Sequence, residues 1–80
     1  MACFAGVMPQ SLEHRKIVGK NIRAARKGVG LTLEKLAEKA DMDWTYISQV
    51  ERGQENISID KLARIAKALD TKVADLVSGA

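Results

Sequence analysis

Eighty residues with a formal net charge of +3 make one domain and no more. A lone cysteine, Cys3, excludes an internal disulfide, and one cysteine with one histidine, His14, is too few for a structural zinc site. The 46% hydrophobic fraction excludes a disordered chain, and no apolar run approaches the ~20 residues of a membrane span.

Unstapled cysteine usage of this kind points to the cytoplasm. A chain so short buries only a little over ~60% of the surface it exposes when unfolded, so its margin of stability is thin. With one Phe, one Trp and one Tyr, aliphatic side chains and alanine must build the core. The opening ACFAGVM is apolar but lacks the basic region of a signal peptide. Residues 1–10 are expected to be a loose arm or a remnant of the expression vector, with Met8 as an alternative start, and residues 11–78 the folded domain.

Helical periodicity and oxygen-bearing cap residues set the elements. Ser11, Thr32, Asp43, Ser58 and Thr71 each stand just ahead of an apolar-periodic run, where a side-chain oxygen can accept from an orphan backbone N–H. The first helix is expected over Leu12–Lys27, with Val18, Ile22 and Ala25 inward. Between His14 and Lys27 lie Arg15, Lys16, Lys20, Arg23, Arg26 and Lys27 with no acid among them. Such a stripe is either a solvated face or a surface for phosphate or an acidic partner. Gly28 and Gly30 end the helix; Gly30 is free to take positive φ.

A second helix follows over Leu33–Ala40, burying Leu36, Ala37 and Ala40, with Asp41 and Met42 in the turn. The third spans Trp44–Arg52 and leads into the loop GQEN. In the fourth, Ile59–Leu69, Leu62, Ile65, Ala66 and Leu69 recur at helical spacing. A short fifth, Lys72–Val77, offers Val73, Leu76 and Val77. No run alternates as a strand does, so the fold class is all-α, a compact five-helix bundle.

The third helix distributes its residues unevenly. At ~100° per residue, Trp44, Thr45, Ser48, Gln49 and Arg52 share one outward arc, and Ile47, Val50 and Glu51 the other. Tyr46 lies nearer the protein, expected as partial core with a wet hydroxyl. Helices two and three are short and closely joined, and the small Ala37 would let their axes cross steeply. This is the geometry of a helix-turn-helix, although many bundles contain short helix pairs.

The stretch IRAARKGVGLTLEKLAEKADMDWTYISQVERGQENISIDKLARIAKAL resembles the helix-turn-helix family of phage repressors and Cro-type regulators. A first helix with two arginines, GLT, LAEKA, YISQVERG and IAKAL occur in order and at the family's spacing, over roughly Val18 to Leu76. More loosely, DWTYIS and ERGQENISID resemble the small controller proteins of restriction–modification systems. The resemblance implies a lambda repressor-like domain binding double-stranded operator DNA as a symmetric homodimer, with a near-palindromic site.

On the same resemblance, Trp44, Thr45, Ser48 and Gln49 hold the family's base-reading positions. Gln49 suits adenine N6 and N7, and the hydroxyls suit several base edges. Trp44 is a departure, since relatives usually carry a polar or basic residue there; it either meets a thymine methyl or the sugar-phosphate wall, or folds back onto helix two. Arg26 and Glu51 correspond to a structural ion pair of the family. Backbone phosphates are expected at the N-termini of helices two to four, with Thr32, Arg52, Gln54, Asn56 and Lys61 assisting. Leu33 replaces the phosphate-clamping Gln common after GLT, with Lys35 as a compensating cation, and Ile57 replaces a common Pro. Family dimers often use the last helix, which makes Val73, Leu76 and Val77 interface candidates as well as core.

Catalytic chemistry has no foothold: there is no credible paired-carboxylate pocket, no Ser–His–Asp set and no phosphate loop. Gly28–Gly30 lacks a preceding strand. Neither cofactor nor metal is expected. Because of Trp44 and Leu33, a protein-interaction module on the same fold stays open as the rival to operator reading.

Overall fold

The computed structural model describes the backbone of residues 2–79 and the side chains of residues 13–79. Five helices follow one another: α1 (Ala2–Gly28), α2 (Leu33–Ala40), α3 (Trp44–Glu51), α4 (Ile59–Ala68) and α5 (Val73–Leu76). α3 packs on α1 and α2, α4 on α2, and the short α5 closes the bundle against α1 and α4.

Three of the expected caps start their helices. Thr32 Oγ1 accepts the Lys35 N–H at 3.1 Å, Asp43 Oδ1 the Thr45 N–H at 3.2 Å, and Ser58 Oγ the Lys61 N–H at 3.2 Å. Each satisfies one orphan donor in a first helical turn. Two do not. Ser11 lies inside α1, which begins at Ala2 rather than at Leu12. Alanines at positions 2 and 5 and Met8 favour helix, and Pro9 withholds one donor without ending it. The arm expected over residues 1–10 has its side chains outside the described residues. Thr71 also fails as a cap: Lys72 flanks α5 with no side-chain bond, while the Thr71 hydroxyl donates to Asp75 Oδ2 at 3.0 Å.

The ends of α1 to α4 share one device. After each helix a residue turns to positive φ: Gly30 (74°), Asp41 (56°), Gly53 (73°) and Asp70 (55°). The following residue's N–H then reaches back across the last turn, as from Leu31 to Arg26 O (3.0 Å), Met42 to Ala37 O (2.9 Å), Gln54 to Gln49 O (2.9 Å) and Thr71 to Ala66 O (2.9 Å). This Schellman closure uses carbonyls that the helix itself leaves unpaired. At Asp41 the left-handed turn is tied down further, because Arg64 Nη2 donates to Asp41 O at 2.9 Å.

Ile22, Leu36, Ile47, Ile65, Leu76 and Val50 are fully buried, joined by Ala37, Ala40, Leu62, Ala66 and Leu69. Val18 and Ala25, expected inward, are partly buried against this core. The tightest crossing is between α1 and α3. A methyl on Gly19 would stand 2.4 Å from the Val50 carbonyl oxygen and 2.6 Å from that of Glu51. Only glycine lets the two backbones touch there.

Candidate nucleic-acid interface

α3 is eight residues long and anchored on one side only. Ile47, Val50 and Glu51 are buried. Glu51 accepts two bonds from one guanidinium, Arg26 Nε to Oε2 at 2.7 Å and Nη2 to Oε1 at 3.1 Å. Arg26 Nη1 donates in addition to Leu31 O at 2.9 Å. The two side chains are 11% and 6% exposed, so the planar fork is held with all its partners on the protein. One ion pair therefore fixes α1, the approach to α2 and the end of α3 together.

The other side of α3 is open. Trp44, at its first position, is 53% exposed, so the indole is not folded away beneath helix two. Thr45 and Arg52 are exposed, while Ser48 and Gln49 are half-buried. Among the described residues, none of the Trp44, Thr45, Ser48 and Gln49 side chains bonds to the protein. Arg52 Nε lies 3.4 Å from Ser48 O and otherwise extends into solvent. This leaves an indole, two hydroxyls and a carboxamide free to meet another surface.

Around this face stand the candidate phosphate groups. Thr32 and Lys35 are exposed at the start of α2, and Lys61 in the first turn of α4. Gln54 and Asn56 are exposed on the loop after α3. Leu33 is half-buried against the core. Tyr46 is half-buried as well, with Lys61 Nζ 4.5 Å from the centre of its ring. Burial pushes the Tyr46 hydroxyl above its ordinary pKa, and the negative charge of Glu55 adds to the effect.

The expected interface residues on α5 divide. Leu76 is 1% exposed and belongs to the monomer's core, because its side chain is the plug that α5 inserts between α1 and α4; it has no surface to offer a partner. Val73 and Val77 are half-buried. A surface the sequence did not reveal lies nearby. Val18, Ile57, Ile59, Leu62 and Val77 line an apolar groove rimmed by Arg15 and Glu55, and Ile59 is 69% exposed. Ile59 stands at the edge of the buried stripe of α4, and that offset was its only signal. Gly19 and Gly53 are the other positions missed. A methyl on Gly53 would meet Lys16 Cγ at 2.8 Å, and an isolated glycine within a helical pattern was the one hint for Gly19.

Among the described residues, no cluster of three His, Cys, Asp or Glu side chains could hold a metal ion, and no helix is long and apolar enough to cross a membrane.

Comparison with known proteins places this geometry. Residues 22–76 match the helix-turn-helix family model HTH_3. The chain is 39% identical over 64 residues to control protein C.BamHI of Bacillus amyloliquefaciens, covering 79% of each chain. It is 36% identical over 67 residues to control protein C.SmaI of Serratia marcescens, covering 84% of this chain and 80% of that one. Its fold superposes on the restriction-modification controller protein C.AhdI from Aeromonas hydrophila with a TM-score of 0.76 and 35% identity, over 78% of this chain and 94% of that one. The matched residues 22–76 include the α2–α3 pair, and the chain belongs to the HTH_3 family.

Proposed function

We propose that the protein is a sequence-specific transcriptional regulator that lays α3 in the major groove of a near-palindromic operator as a homodimer, in the manner of a restriction–modification controller or phage repressor. The observation that carries this is the asymmetry of α3: its inner wall is bonded into the protein, while the Trp44, Thr45, Ser48 and Gln49 side chains make no hydrogen bond among the described residues. Gln49 is the principal reader, donating to and accepting from adenine in one plane. Thr45 and Ser48 serve neighbouring base edges, and the exposed Trp44 presents an apolar edge to a thymine methyl or the groove wall. Thr32, Lys35, Arg52, Gln54, Asn56 and Lys61 grip phosphates, helped by the unpaired N–H groups at the starts of α2 and α4.

A second copy covers the groove of Ile57, Ile59 and Val77. The groove is lined by a cation, Arg15, and an anion, Glu55, as well as by apolar side chains, so two copies meeting there about a two-fold axis have opposite charges to pair. The two recognition helices would then lie ~34 Å apart.

Salt separates this reading from a protein-binding module built on the Trp44 face. Binding to duplex DNA is expected to fall with salt at a log–log slope of ~0.9 per phosphate contacted. Weak, salt-insensitive association with duplex DNA would favour the protein-binding module. For the dimer, sedimentation of Ile59→Asp is expected to report a monomer that keeps the wild-type fold; an unchanged dimer would move the interface elsewhere.

A further inference from the structure

We infer that Tyr46 is a positioning residue for DNA binding: its ring holds the Lys61 ammonium in place at the start of α4, ready for a backbone phosphate. This rests on the reading of Lys61 as a phosphate contact. Lys61 sits in the first turn of α4, its N–H bonded to the Ser58 cap, where the helix presents unpaired donors to an anion. A lysine head on a four-carbon stem is otherwise free to sweep through many rotamers, and ordering it opposes binding. Here Nζ lies 4.5 Å from the centre of the Tyr46 ring, within the range in which a ring face attracts a cation.

The surroundings explain why the ring, rather than a carboxylate, takes the ammonium. Lys61 and Tyr46 share a shallow hollow with Asp41, Met42, Asp43 and Arg64. Among the described residues Lys61 forms no salt bridge: Asp41 faces Arg64 at 3.4 Å, Asp43 Oδ1 accepts the Thr45 N–H, and Glu55, whose charge acts on the Tyr46 hydroxyl, is not paired with the ammonium. An ion pair would neutralise Lys61, whereas a ring orients it and leaves the full positive charge for a phosphate. Tyr46 also belongs to α3, so the same side chain links the reading helix to the helix that grips the backbone. The hydroxyl is not needed for this; the ring face is.

A double-mutant cycle tests the inference, using Tyr46→Leu, Lys61→Gln, the double variant and Tyr46→Phe, each titrated against a random-sequence duplex at several salt concentrations. Tyr46→Leu is expected to weaken binding about two- to five-fold, the range of an exposed cation–π contact, and Tyr46→Phe to bind as wild type. Lys61→Gln should lower the salt slope by ~0.9. In that background Tyr46→Leu should cost nothing further. An equal loss from Tyr46→Leu with and without Lys61 would overturn the inference, since Tyr46 would then act alone. An unchanged slope in Lys61→Gln would overturn it together with the Lys61 phosphate contact, while leaving base reading by Gln49 intact. A readout without DNA guards against misfolding of the leucine variant: the Lys61 Hε protons in the wild-type protein should resonate upfield under the ring current, and ordinary lysine shifts there would also contradict the inference.

Discussion

The two sides of α3 are built on opposite rules. On the inner side, every group has a partner and there is no room to spare: Glu51 takes both of its bonds from Arg26, and Gly19 lets the α1 backbone lie against the Val50 and Glu51 carbonyls. On the outer side, the side-chain polar atoms of Thr45, Ser48 and Gln49 have no protein partners among the described residues, and the indole of Trp44 is half-exposed. Stability resides in the first side and recognition in the second. The helix can be held rigidly while its exposed residues vary, so the face that reads is decoupled from the face that folds.

Substitutions across the helix should reveal that decoupling, beginning with the largest effect. Glu51→Ala leaves the Arg26 guanidinium buried and short of its partner, and breaking such a pair costs ~3–5 kcal/mol. Against the roughly 4–12 kcal/mol expected for a domain of this size, that is a large share. Urea denaturation should show the midpoint collapsing; an unchanged midpoint would mean that the pair contributes nothing to folding. Gly19→Ala should follow, at ~1–3 kcal/mol, because a methyl 2.4 Å from the Val50 oxygen forces α1 and α3 apart. If thermal unfolding shows this variant to be stabilised by the better helix propensity of alanine, the close crossing is not real. Gly53→Ala should cost ~1–2 kcal/mol for its left-handed φ, with further strain where the methyl meets Lys16. Last comes Gln49→Ala, which should leave the unfolding midpoint within ~0.5 kcal/mol of wild type. That variant should nonetheless relax preference at one base pair of each half-site by ~1–3 kcal/mol.

What could be read beforehand divides along the same line. Local signals carried the scaffold: Thr32, Asp43 and Ser58 are caps because a short oxygen-bearing side chain before an apolar run has one good use. Thr71 shows the limit, since its hydroxyl found Asp75 instead, and at Ser11 the helix simply continued toward the N-terminus. Periodicity alone put Glu51 on the inner arc and Gln49 on the outer one. It did not identify Arg26 as the partner; the family resemblance supplied that. Gly19, Gly53 and Ile59 matter through what lies opposite them in space, and one-dimensional spacing carries no record of that. The same holds for Leu76, whose spacing fits core and interface equally until the packing of α5 decides.

The most direct measurement is selection from a random duplex library with the wild-type protein and with Gln49→Ala in parallel. If the outer face of α3 reads DNA, the wild type should enrich a near-palindrome, and the variant should enrich the same palindrome with one symmetric pair of positions relaxed. A wild-type selection that yields no enriched sequence at low salt would contradict the account.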